Sequence, residues 1–136
     1  MEHEPIFADE IEVLRTAMLP RLELKLGRGV PISTKVPNPR PAEFVRLVSA
    51  GGPRKNIITA SPTVAVEAWA ADAPTASRIC RVATAIVHSL AGELVGGVQL
   101  GGVGTFSLPQ DLPDEDSGHA RYTSTLSIDM SYIDTL

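Results

Sequence analysis

The sequence contains a single cysteine, Cys80, few aromatic side chains and no long apolar run. One cysteine cannot form an intramolecular disulfide or a zinc site made of several cysteines. Because aromatic residues make up only 4% of the chain, its core has to be built from Val, Leu, Ile and Ala. No run approaches the roughly 18 apolar residues of a membrane-spanning helix, and the opening MEHEPIFADE has no signal-peptide pattern. We therefore expect a soluble protein of cytoplasmic type, with no membrane partner.

Basic residues are outnumbered by acidic ones, 12 Lys and Arg against 16 Asp and Glu, which gives a net charge of −4. Tight binding of nucleic acid without sequence preference needs a large basic excess, so the composition argues against that class of protein. A surface that DNA only passes is compatible with this charge, since it would not hold phosphates. The length of 136 residues predicts one domain, residues 1–136, with one core.

Residues of the types that carry catalysis or bind metals are scattered along the chain. His3, His88 and His119 fall on the terminus, a predicted helix and a loop, and none has a second ligand at helical spacing. The glycine-rich LGGVGT (100–105) lacks the Lys and the following helix of a phosphate-binding loop. Cys80 lies on an apolar helix stripe, as a small buried side chain does. We predict a protein that is not an enzyme, with no catalytic residue, no metal site and no cofactor.

An acidic loop, QDLPDEDSGHA, precedes the last predicted strand. Its carboxylates do not have the spacing or the central glycine of a calcium loop, so we interpret it as a solvated loop. If the loop has a role, charge attraction to the basic tip of another chain, Arg54 and Lys55 in the predicted hairpin turn AGGPRKN, fits it better than a metal. The carboxylates concerned are Asp111, Asp114, Glu115 and Asp116.

Helical and strand periodicities alternate along the chain. Apolar spacing predicts a helix from Asp9 to Leu19, ended or kinked by Pro20, and a second helix capped by Asp72 and closed near Gly92. Strands are predicted over residues 30–36, 43–49, 61–70, 98–100, 103–108 and 121–133, the last with the purest period of two. The order favours an α+β fold, an antiparallel or mixed β-sheet with two helices packed on one face. The other face of the sheet is rich in Ser and Thr.

Three prolines at alternate positions precede the second predicted strand. Proline fixes φ and has no N–H, so this segment is expected to be a stiff, extended arm with part of its backbone unpaired. We expect this arm, the basic tip and the acidic loop to contact a neighbouring subunit or another protein. The predicted partner interface comprises Pro37, Asn38, Pro39, Arg40, Pro41, Arg54, Lys55, Asp114, Glu115 and Asp116.

Four stretches in register resemble the tail terminator proteins of long-tailed (siphovirus-type) phages of actinobacteria. They are STKVPNPRP (33–41), FVRLVSAGGP (44–53), TVAVEAWA (63–70) and SLPQDLPDEDSGHARYTSTLSIDM (107–130). The resemblance implies a small α+β protein that forms a homo-oligomeric, hexameric ring on the head-proximal end of the tail tube. Such a ring ends polymerisation of the tail tube protein and joins the tail to head-completion (stopper) proteins. DNA passes through its central channel, and neither catalysis nor a cofactor is involved.

Two alternatives stay open at this point. A head-completion or stopper protein of the neck also forms a ring, one layer nearer the capsid. A small monomeric α+β enzyme or binding domain would need a pocket in which polar groups converge. The tail terminator interpretation places the protein in the virion, and in the host cytoplasm during assembly.

Overall fold

The computed structural model describes residues 3–136, which form two helices and eight strands. In chain order the elements are β1 (Pro5–Phe7), α1 (Glu10–Leu26), β2 (Ile32–Ser33), β3 (Phe44–Ser49), β4 (Thr59–Ala60), β5 (Thr63–Ala70), α2 (Ala73–Ser89), β6 (Leu94–Val95), β7 (Val98–Asp111) and β8 (Ala120–Thr135). The strand order is β2-β3-β5-β8-β7-β6, and β1 and β4 also pair with β8. Only β2 and β3 run parallel among these pairs, so the sheet is mixed. The predicted α+β class is confirmed.

Strand β8 is the centre of the sheet. It has 16 residues and pairs along its length with β5 and β4 on one side and with β7 on the other. Its inward side chains Ser124, Leu126, Ile128 and Met130 are all buried, while the residues between them are partly exposed. The predicted period of two is therefore confirmed, because successive side chains of a strand point to opposite faces.

Both helices cover the buried face of this sheet. Asp72 caps α2 by accepting a hydrogen bond from the Thr75 amide, and the apolar stripe of α2 packs on β5, β7 and β8. Helix α1 packs on α2 and on β2 and β3. The core between them consists almost entirely of aliphatic side chains, as the composition predicts. Phe44 and Trp69, which pair across β3 and β5, are stacked on each other outside this cluster.

The predicted end of the first helix at Leu19 is wrong. Helix α1 continues through Pro20 to Leu26 and ends at Gly27, whose φ of 73° is left-handed. Pro20 has no N–H to donate to the carbonyl of Thr16, which usually disfavours a helix interior. Burial of Leu22, with none of its surface exposed, compensates for that loss, because a helical path is needed to bring Leu22 to the core.

Two predicted strands have different lengths in the structure. The segment 30–36 forms only the two-residue β2, and the pieces predicted at 98–100 and 103–108 are one 14-residue strand, β7. The glycines that suggested a break allow β7 to approach β8 closely. A Cβ on Gly104 would lie 2.7 Å from Ser127 Oγ, and a Cβ on Gly101 would lie 3.0 Å from Asp129 Cβ. Three register shifts absorb the irregularity.

One polar contact lies inside the aliphatic core. The hydroxyls of Thr84 on α2 and Ser124 on β8 are 2.8 Å apart, and both residues are buried. The Cys80 thiol lies beside them, 3.6 Å from the carbonyl oxygen of Val66, and burial raises its pKa. Each hydroxyl therefore depends on the other, because a buried polar group without a partner is costly.

We predict that Ser124→Ala lowers the free energy of unfolding by about 1–3 kcal/mol, because it removes the partner of the Thr84 hydroxyl. Adding Thr84→Val to Ser124→Ala should recover much of that loss, since no orphaned hydroxyl is left. Urea unfolding of the single and double variants measures this coupling. Ser127→Ala, on the outer face of the same strand, is the control and should change stability by less than about 0.5 kcal/mol. Strictly additive losses would contradict the prediction.

Candidate functional site

The described chain does not assemble its titratable residues into a catalytic or metal-binding group. No cluster of three or more His, Cys, Asp or Glu side chains in residues 3–136 could hold a metal ion. His88 Nε2 lies 2.8 Å from Thr105 Oγ1, and His119 Nδ1 lies 3.1 Å from Arg40, so both rings contact side chains of distant segments. His3 is exposed near the N-terminus. Within the same residues, neither helix has the length and apolarity needed to cross a bilayer.

An open cleft of about 410 Å³ lies between β1 and the segment that follows β3. Two acidic side chains of its wall already have partners within the chain. Glu4 accepts a hydrogen bond from Arg54, and Glu10 accepts one from the Ser49 hydroxyl. Polar groups that are paired with each other do not converge on a ligand, so the cleft has little of the character of an active site. The surface features that remain are loops, edges and exposed apolar side chains.

The proline segment is held against its own chain through Arg40. Its guanidinium lies 5.3 Å from the centre of the Trp69 ring, which is 3% exposed, and 4.0 Å from the Asp114 carboxylate. Arg121 lies 5.2 Å from the same ring, so two cations contact one indole. The path of the segment is bent, with bends at 34–35, 38–39 and 42–43. The expectation of a stiff, extended arm is therefore corrected. The segment bends, and Arg40 ties it to the acidic loop.

The acidic loop is ordered by its own hydrogen bonds. The Asp114 carboxylate accepts hydrogen bonds from the hydroxyl and the amide of Ser117, and these bonds lower the pKa of Asp114. Glu115 and Asp116 are exposed beside it. The interpretation as a solvated loop agrees with this geometry.

The basic tip is built from residues 53–60, here called the tip loop. Gly52 precedes this loop and has a φ of 124°. It packs against the carbonyl group of Ser61, and a Cβ at this position would lie 2.6 Å from the carbonyl oxygen. The Arg54 guanidinium donates to Glu4 at 2.6 Å, to the Ile57 carbonyl at 2.7 Å and to the Asn56 carbonyl at 3.1 Å. Arg54 therefore fixes the loop from inside.

Lys55 is also paired within the chain. Its Nζ lies 2.8 Å from Asp129, and Ser61 donates a hydrogen bond to the other oxygen of the same carboxylate. These two hydrogen bonds, that from Lys55 first, lower the pKa of Asp129. Both basic residues of the tip loop are thus engaged in intramolecular pairs, although the Lys55 side chain remains 58% exposed.

The predicted interface residues fall into two separate groups. Arg40 and Asp114 lie at the end of the sheet where Trp69 pairs with Arg121, whereas Lys55 contacts Asp129 near the other end of β8. The charge attraction predicted between the basic tip and the acidic loop therefore needs two copies of the chain. Contact of these residues with a partner stays a prediction.

Four exposed apolar side chains are candidates for a binding surface that were not predicted from the sequence. Ile57 and Ile58 are 71% and 56% exposed at the tip loop, and Phe106 and Leu108 on β7 are each 70% exposed. Beyond Gln99, β7 has β8 as its only strand neighbour in the described residues. Two isoleucines inside a turn, in KNIIT, were an available signal, because turns favour polar residues and glycine. The exposure of Phe106 and Leu108 depends on strand register, which the sequence does not show.

Comparison with known proteins reveals the fold but no family. No protein-family model matches the sequence, and no curated protein is similar to it. Several solved chains are similar in structure, and one of them matches nearly the whole chain. It comes from the virion of a native gene transfer agent (GTA) particle. The TM-score is 0.56 at 14% sequence identity, and the match covers 88% of this chain and 96% of that chain. The two chains share a fold over nearly their whole length.

The Asp129 carboxylate gives a pH-dependent test of how the tip loop is held. Because the folded pKa lies below the unfolded value of about 3.9, its stabilisation is complete above that value and is lost as pH falls through the folded pKa. We predict that Asp129→Asn costs about 1 kcal/mol near pH 7 and that the difference shrinks progressively as pH falls below the unfolded pKa of about 3.9. Thermal unfolding across this pH range measures it, with Asp116→Asn in the exposed loop as control. A constant difference at every pH would contradict the prediction.

Proposed function

We propose that the chain is a structural, non-enzymatic protein of a phage-type virion. The observation that carries the proposal is the shared fold with a chain from a gene transfer agent virion, which extends over 96% of that chain. Exposed apolar side chains on the tip loop and on β7 support it, and so does the edge of β7, whose only strand neighbour beyond Gln99 in the described residues is β8. Such surfaces are typical of proteins that work by contacting other proteins.

The specific role we propose is that of a tail terminator. Copies of the chain form a ring, a hexamer by resemblance, on the head-proximal end of the tail tube, end its polymerisation and join it to the head-completion protein. The four sequence stretches in register with tail terminators support this role, and so does the net charge of −4, which suits a channel that DNA must pass without being held.

Tube polymerisation in vitro tests the proposal. Purified tail tube protein is polymerised with and without this protein, and tube lengths are measured by electron microscopy. We expect shorter tubes with a ring of this protein at one end, because a terminator removes the site to which the next tube ring adds. The control is the same protein unfolded by heat.

Continued elongation of the tubes at every ratio would overturn the tail terminator role. Immunolabelling of virions then separates the alternatives. Label at the junction of tube and neck supports a terminator, whereas label one layer nearer the capsid indicates a stopper. Absence of label from virions would overturn the structural role as well.

A further inference from the structure

The tip loop presents two isoleucines on a rigid support. Arg54 donates to the carbonyls of Asn56 and Ile57, and the Asn56 side-chain oxygen accepts a hydrogen bond of 2.9 Å from the Ile58 amide. The amides of Lys55 and Asn56 both donate to the Thr59 carbonyl. Because these polar groups bond within the loop, the side chains that it exposes to a partner are Ile57 and Ile58. A preformed apolar anchor loses little entropy on binding.

A second apolar pair lies on β7. Phe106 falls at the register shift between Thr105 and Ser107, and Leu108 falls at the next shift, before Gln110. A residue at a register shift has no paired residue opposite it on the neighbouring strand. Its side chain can therefore turn away from the sheet. Both side chains are 70% exposed.

The two pairs lie on opposite sides of β8. The tip loop ends in β4, which pairs with β8 at Ser131 and Met130 on the side occupied by β5, whereas β7 pairs with the other side. A head-to-tail ring needs two different, complementary patches on different flanks of one chain. Two exposed apolar pairs on opposite flanks satisfy that requirement.

The charged residues beside the two apolar pairs favour a second copy of this chain as the binding partner. Lys55, beside the isoleucine pair, is paired with Asp129, but its side chain is 58% exposed and its ammonium group has further hydrogens to donate. Asp111 ends β7 two residues after Pro109, and the acidic loop follows it. A basic group therefore borders one apolar pair and acidic groups border the other, which favours their contact between chains.

We infer that Ile57 and Ile58 of one copy pack against Phe106 and Leu108 of the next copy. The inference rests on the proposed ring and names its subunit contact. Lys55 and the acidic loop form the rim of this contact, and the four apolar side chains are its centre, because exclusion of water from apolar groups supplies most of the energy at such interfaces.

Mixing two defective variants tests the head-to-tail pairing. The tip variant is Ile57→Ser/Ile58→Ser, and the strand variant is Phe106→Ser/Leu108→Ser. Masses are measured by light scattering and mass photometry, and circular dichroism checks that each variant is folded. We expect the wild type to form rings and each variant alone to be a monomer. An equimolar mixture should give a dimer and nothing larger, because only one intact pair of patches remains. Leu24→Ser, which changes an 86% exposed leucine on α1, should leave the rings unchanged.

Other outcomes overturn the inference. Rings formed by either variant would mean that the apolar pairs contact a different protein. A dimer of one variant alone would indicate a symmetric contact, and a mixture that stays monomeric would show that the pairs do not meet. A wild type that is monomeric at every soluble concentration would also overturn it, while the tube-capping experiment judges the proposed function independently.

Discussion

Strand β8 exchanges main-chain hydrogen bonds with β1, β4, β5 and β7, so four other strands take their position from its register. A shift of one residue would turn Leu126 and Ile128 to the outer face and bring Ser127 and Asp129 into the core. The free-energy cost of exposing these apolar side chains and burying the polar ones fixes the register of β8. The register in turn determines where the tip loop and the acidic loop lie. The positions of the surfaces proposed to contact a neighbour therefore depend on the alternation within one strand.

Charged side chains in this protein do more to shape loops than to offer binding energy. Arg54, Lys55 and Arg40 each have partners within the chain, and they hold the tip loop and the proline segment in place. Surface ion pairs contribute little to stability by themselves, but they limit the conformations of a loop. The basic residues of the tip thus serve mainly to support two isoleucines, and the exposed part of Lys55 is left for the rim of the proposed contact.

The surface of the chain and its fold agree with the proposed function. Glu4, Glu10 and Arg54 in the cleft by β1 are paired with groups of the same chain, and two exposed apolar pairs lie on the flanks of the sheet. We propose that the protein acts through its position in an assembly. Ring closure would cover both flanks, which accounts for exposed side chains that would otherwise favour aggregation.

The sequence by itself determined the fold class, the second helix with its Asp72 cap, the strands predicted over 43–49, 61–70 and 121–133, and the alternation of side chains in the last two. These features depend on local periodicity and capping, which neighbouring residues encode. Only the tertiary structure decided that α1 passes Pro20, that β7 is continuous, and that Arg40, Arg54 and Lys55 are paired within the chain. These outcomes depend on burial and on contacts between residues far apart in the chain, such as Lys55 with Asp129, and no local pattern records which distant group a side chain will meet.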